Sequence, residues 1–192
     1  MTFSQLYDHC QTLLPKIKRN DLKDKVIELS CRGKIRTMKT TLDVASCRGF
    51  YLSAGNCDHQ FVKQHGSTVI VLARGLNPCW ERFVFTKELM HHFDDPAEAS
   101  DSGDKFERML EDLVPGGRER SPQADSEVAC FWMALAVLCP ESYRKKFDAE
   151  RRAGRLDDYA IALQLRIPQV YVHRLFEDQY LKNIEKYREM NK

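Results

Sequence analysis

Residues 83–92, Phe83-Val84-Phe85-Thr86-Lys87-Glu88-Leu89-Met90-His91-His92, constrain this chain more than any other stretch. Phe83, Leu89 and Phe93 recur at helical spacing and Asp94-Asp95-Pro96 stops the run, which predicts a helix that hides an apolar face while carrying Lys87, Glu88 and His91. On such a helix positions 87 and 91 stand one above the other. This is the spacing of H-E-x-x-H, in which two histidines bind zinc and the glutamate between them activates water. Here Lys87 replaces the first histidine, while Glu88 and His91 keep their places. An ammonium has three donors and no lone pair, so Lys87 ligates no metal unless it loses its proton.

A chain of 192 residues supports one substantial core, and a single domain over 1–192 is the default expectation. With 43% hydrophobic and 30% charged residues it belongs with ordinary globular chains rather than disordered ones. A net charge of +2 is too small to bind nucleic acid by electrostatics alone. No run approaches the ~18 apolar residues of a membrane span. Met1-Thr2-Phe3-Ser4-Gln5-Leu6 lacks the basic and apolar regions of a signal peptide, so a cytoplasmic location is expected. The seven cysteines form an odd set without C-x-x-C spacing, which suggests reduced thiols rather than a disulfide framework or a cysteine zinc site.

The first part, 1–33, is expected to be helical. Phe3, Leu6, Tyr7, Cys10, Leu13 and Leu14 form one stripe ended by Pro15; Leu22, Val26 and Leu29 form a second, with Asn20 as N-cap and Gly33 as terminator. Within 47–73, the runs 49–52 and 68–72 are short and β-rich, and are expected to pair in a small sheet. The part over 80–140 carries the helix around Glu88, an acidic loop over 94–104, a short helix on Phe106, Met109, Leu110 and Leu113, a basic loop over 115–122, and an apolar helix over 125–138 closed by Pro140. The rest, 141–192, reads as a short segment around Tyr143 and Phe147, helices over 157–165 and 169–176, and a charged helix over 178–190. There is no internal repeat.

Two segments together resemble the ImmA/IrrE family of metallo-endopeptidases. Arg82-Phe83-Val84-Phe85-Thr86-Lys87-Glu88-Leu89-Met90-His91-His92 resembles its R-F-T-x-A-H-E-L-x-H helix. Glu127-Val128-Ala129-Cys130-Phe131-Trp132-Met133-Ala134-Leu135-Ala136-Val137-Leu138-Cys139-Pro140 is similar to its E-x-x-A-N-x-F-A-x-x-L-L-M-P helix, in the same order and at the same separation. Tyr159 to Pro168 and Val172-His173-Arg174-Leu175 resemble the closing L-A-x-x-F-x-V-P and V-x-x-R-L pattern, so the likeness covers about 80–176. It implies an α+β, mainly helical, zincin-like metallopeptidase fold of gluzincin type, with a small sheet and C-terminal helices. By position it implies Glu88 as general base, His91 as second zinc ligand and Glu127 as third. The chain departs from the pattern at Lys87, at Phe131 where the family has asparagine, and at Met133 where it has phenylalanine. The resemblance further implies a helix-turn-helix repressor as protein partner, in regulatory or mobile-element settings.

Three functions follow as expectations. In the first, the Lys87 ammonium replaces zinc between Glu88 and Glu127, leaving a pseudoenzyme that binds its partner without cutting it. In the second, an active zinc endopeptidase rebuilds its site from His91, Glu127 and another ligand. The candidates for that ligand are weak: His92 lies about 100° around the helix and is expected to face out, Asp94 and Asp95 belong to the helix stop, and His59 and His65 lie in the sheet region. In the third, 157–175 acts as a DNA-binding helix-turn-helix, although its second helix has few basic groups and two packing helices explain it better. Cys130, three residues after Glu127, is expected to border the site as core packing rather than as a nucleophile.

Overall fold

The computed structural model describes residues 2–30, 33–55, 59–95, 98 and 121–190. Most of the expected acidic loop, the short helix over 106–113 and nearly all of the basic loop lie outside the described residues, as do Cys31 and Cys57. What is described is mixed α and β and mainly helical, with one three-stranded sheet.

The chain opens with α1 (Phe3–Gln11) and α2 (Arg19–Ser30), which bury Phe3, Leu6 and Cys10, and Leu22 and Val26. Asn20 falls inside α2 rather than capping it. Three strands follow: β1 (Ile35–Thr40), β2 (Gly49–Leu52) and β3 (Thr68–Ala73), with α3 (Gln60–His65) before the last. β3 is central, parallel to β1 with Ile35 opposite Thr68, and antiparallel to β2 with Gly49 opposite Leu72. It is buried along its whole length, which is why its sequence is a continuous apolar run rather than an alternation. β1 was not expected. Its only apolar residues, Ile35 and Met38, are three apart and most of it is exposed, so it carries no two-residue period.

The two faces of β3 are covered differently. Val69 and Val71 pack with Val62 of α3, whereas Ile70 and Leu72 belong to the main core beside α4 (Pro78–Met90). Gly49 lets α4 approach β2 closely, since a Cβ there would lie 2.7 Å from Val84 Cγ1 and 2.8 Å from the Val71 carbonyl. Asn77 caps α4 by accepting from the Trp80 N–H at 3.0 Å, and Pro78 occupies the first turn, where no N–H is needed. A 3₁₀ turn, His91–Phe93, finishes it.

α5 (Pro122–Leu138) packs across the other side of α4. It begins before residue 125, where it was expected, because Ser121 accepts from the Ala124 N–H at 3.3 Å and Pro122 fits the first turn. α6 (Glu141–Arg152) is a full helix where only a short segment was expected: its composition is almost wholly polar and Phe147 is its one buried residue. α7 (Asp158–Leu165) is capped by Asp157 and closed by Arg166 in the left-handed region at φ 53°. The expected helix over 169–176 is instead a 3₁₀ segment, Gln169–Phe176, that buries Val172 and Leu175. α8 (Tyr180–Met190) returns to cover α1 and α5.

One core cluster runs from Phe3 to Tyr187. Arg82 fastens α4 within it: its buried guanidinium donates to the carbonyls of Leu165 and, at 2.7 Å, Ile17, and burial lowers its pKa to about 10. No helix among the described residues is long and apolar enough to cross a membrane.

Candidate functional site

Lys87, Glu88 and His91 lie at the C-terminal end of α4, and α5 carries Ser126, Glu127 and Cys130 across from them. The structure brings Lys87, Glu88, His91 and Glu127 together. The Lys87 ammonium is 3.0 Å from Glu88 Oε1 and forms a close ion pair with Glu127 Oε2. His91 Nε2 is 3.2 Å from Glu127 Oε1 and 3.7 Å from Glu88 Oε2. Glu88 is only 3% exposed, so its charge is screened by these cations and little else.

Burial and charge compete at each group. Burial disfavours the Lys87 ammonium, but the carboxylates of Glu88 and Glu127 override it and raise its pKa, so this lysine holds its proton. Burial also pushes Glu127 upward, and there Lys87 and His91, each on its own carboxylate oxygen, win and hold its pKa below the ordinary range. At Glu88 burial wins, and the pKa is raised despite the same two cations.

The zinc implied by the resemblance does not fit these residues. The first-ligand position holds an ammonium that has no lone pair to offer and whose pKa is raised rather than depressed, and that ammonium already pairs with Glu127 Oε2, on the implied third ligand, and with Glu88 Oε1, on the implied base. The cation of this site is Lys87.

Several other expectations need correcting. His92 does not face out: it is 2% exposed, with Nδ1 2.9 Å from the Tyr51 hydroxyl and Nε2 3.0 Å from Ser30 Oγ. The 3₁₀ turn changes the angular step after His91, and a buried imidazole with two polar neighbours is stable where a helical wheel puts it in solvent. Asp94 does more than stop the helix, since its Oδ2 lies 2.7 Å from His91 Nδ1 and accepts from Ser126 Oγ at 2.7 Å. His59, just before α3, and His65, its last residue, are exposed, and Val62 of that helix packs on the sheet face away from α4, so neither completes the site.

Cys130 does have a histidine in reach, contrary to expectation, for its Sγ lies within 4.8 Å of a His91 ring nitrogen and donates to Asp94 Oδ1 at 3.8 Å. Burial pushes its thiol up to about 12, so it remains a thiol at neutral pH and is no free nucleophile. His91, Asp94 and Cys130 also offer three donor atoms that all lie within 4.8 Å of one another, a group able to hold a metal ion. Burial lowers the His91 pKa, Cys130 and Asp94 raise it, and the net effect is a value well above the ordinary one.

Sequence reasoning missed Tyr51 and Ser126 as members of this constellation and set Asp94 aside as part of the helix stop. Ser126 and Asp94 adjoin predicted site residues and were open to discovery from their positions one before Glu127 and three after His91. Tyr51, whose ring centroid is 5.9 Å from that of His91, arrives from β2 with no sequence signal at all. No family model matches the chain, and neither any curated protein nor any solved structure matches it.

Proposed function

We propose that this chain is an ImmA/IrrE-like protein of zincin-like fold that has kept the peptidase architecture and replaced its metal with an internal ammonium. On this reading it is a pseudoenzyme that binds a helix-turn-helix repressor without cutting it and acts in transcription regulation. The observation that carries the proposal is the placement of Lys87 between Glu88 and Glu127, with His91 on the second Glu127 oxygen. A zinc hydrolase needs three protein ligands, an open position for water and a base. Here the base position is Glu88, but the ammonium neutralises the carboxylates and no zinc-bound water forms. The arrangement of α4 between the sheet and α5 is compatible with a zincin-like fold.

The test is hydrolysis of labelled, unfolded casein in the presence of zinc by the unaltered chain, Glu88→Gln and Lys87→His. The unaltered chain is expected to match the Glu88→Gln background, and a helix-turn-helix domain that binds it is expected to be recovered intact. Cleavage by the unaltered chain that disappears in Glu88→Gln contradicts the proposal and favours an active peptidase with an altered ligand set.

A further inference from the structure

His91 presents two different environments. Its Nε2 faces the carboxylates of Glu127, at 3.2 Å, and Glu88, at 3.7 Å, while Nδ1 faces Asp94 and Ser126, both of which also contact Cys130 Sγ. We propose that the Nδ1 side is a binding site for a zinc-class divalent ion, with His91 Nδ1, Asp94 and Cys130 as its ligands. This site lies on the opposite side of the ring from Lys87, and it is structural rather than hydrolytic.

Four features of the geometry converge on it. A metal-ligating histidine characteristically donates its other ring N–H to a carboxylate, which fixes the tautomer and aims the free lone pair; Glu127 is placed to do this for His91. The donor set is one imidazole, one carboxylate and one thiol, the mixture that suits zinc or cobalt rather than calcium or magnesium. When the Cys130 thiol proton and the His91 Nδ1 proton both leave to solvent, the imidazole is neutral, and thiolate and carboxylate carry two negative charges that the ion cancels, so the loaded site is neutral where Cys130 is fully buried. Ser126 Oγ, finally, lies 3.2 Å from His91 Nδ1, 2.7 Å from Asp94 Oδ2 and 3.9 Å from Cys130 Sγ, where it can hydrogen-bond a water completing a tetrahedron.

The fit requires only small movements. Zinc–ligand bonds of about 2.0–2.3 Å place tetrahedral donors roughly 3.3–3.7 Å apart. Cys130 Sγ and Asp94 Oδ1 are already 3.8 Å apart, and Asp94 Oδ2 moves off His91 Nδ1 from its 2.7 Å hydrogen bond. His91 and Asp94 each retain 11% side-chain exposure, which gives an ion access from their side. The bound ion joins the end of α4 to α5 through His91, Asp94 and Cys130.

The test is a cobalt titration of the full chain after stripping with a chelator, read by absorption. A single equivalent is expected to produce a thiolate-to-cobalt charge-transfer band together with the intense visible bands of tetrahedral cobalt, and zinc is expected to erase both. Cys130→Ser should lose the charge-transfer band, Asp94→Asn should weaken cobalt binding by about tenfold or more, and Cys47→Ser and Cys79→Ser should change nothing. No band in the unaltered chain, or a band that survives Cys130→Ser, overturns the proposal. If Cys130→Ser folds poorly by circular dichroism, Asp94→Asn decides, and undiminished cobalt affinity overturns it. Failure here is separable from failure of the Lys87 proposal: an absent band without Glu88-dependent cleavage sinks only the metal site, and Glu88-dependent cleavage with the band in place sinks only the pseudoenzyme.

Discussion

At the scale of single residues, Lys87 is where the energetics concentrate. Removing one partner of a buried charge set leaves the others uncompensated, so Lys87→Met is expected to cost about 3 kcal/mol at neutral pH in urea denaturation. Lys87→Met combined with Glu127→Gln should be less damaging than the sum of the two single changes, because the second removes a charge the first has orphaned. The pH dependence follows from the sign of each shift. Glu127 has a lowered pKa, so its contribution is present above its ordinary value of 4.5 and is lost as pH falls through its lower folded value. The Lys87→Met penalty should therefore shrink below about pH 4.5, as the orphaned carboxylates take up protons. Glu88 runs the other way, since its raised pKa removes stability as pH climbs above 4.5 through the folded value. Tyr51→Phe tests the newly found inward histidine: it removes a hydroxyl 2.9 Å from His92 Nδ1 and should cost about 1–3 kcal/mol by the same denaturation assay.

At the scale of elements, the site depends on α4 being pinned between the sheet and α5. Gly49→Ala is expected to destabilise by about 1–3 kcal/mol, since its methyl would meet Val84 Cγ1 and the Val71 carbonyl and lift β2 from α4. Tyr51, two residues along β2, would shift with it, so the variant should also alter the environments of His91 and His92 in a histidine-detected NMR spectrum. Legibility at this scale followed the physics of each segment. α4, α5 and β3 were visible because they are buried and apolar; β1 and α6 were not, because one is an exposed edge strand and the other rests on Phe147 alone. Lys87, Glu88 and His91 were readable from helical spacing and a motif, and Glu127 only from the family resemblance. Their neighbours were less so: the outward expectation for His92 assumed an α-helical step that the 3₁₀ turn breaks, and Tyr51 reaches the site through strand pairing that no local pattern encodes.

At the scale of the whole molecule, the N-terminal helix, the site helices and the C-terminal helix share one core, with α8 packed on both α1 and α5. Such continuity predicts a single cooperative unfolding transition. Trp80 near the start of α4 and Trp132 within α5 report on the site region, whereas far-ultraviolet circular dichroism averages every helix, so the two signals should coincide in a urea titration. Separate midpoints would show that the C-terminal helices form an independent unit. On the proposed pseudoenzyme reading, a cooperative fold of this kind outlives its chemistry because the Lys87 ammonium pairs with the buried carboxylates of Glu88 and Glu127. The most direct measurement of that claim is zinc content by elemental analysis, without a histidine tag, in a Cys130→Ser background that silences the neighbouring thiol. The chain retaining Lys87 is expected to carry no zinc, and Lys87→His is expected to take up a single equivalent that Glu127→Gln abolishes. Zinc bound through Glu127 in the chain that still has Lys87 would contradict the assignment of its ammonium as the cation of the site.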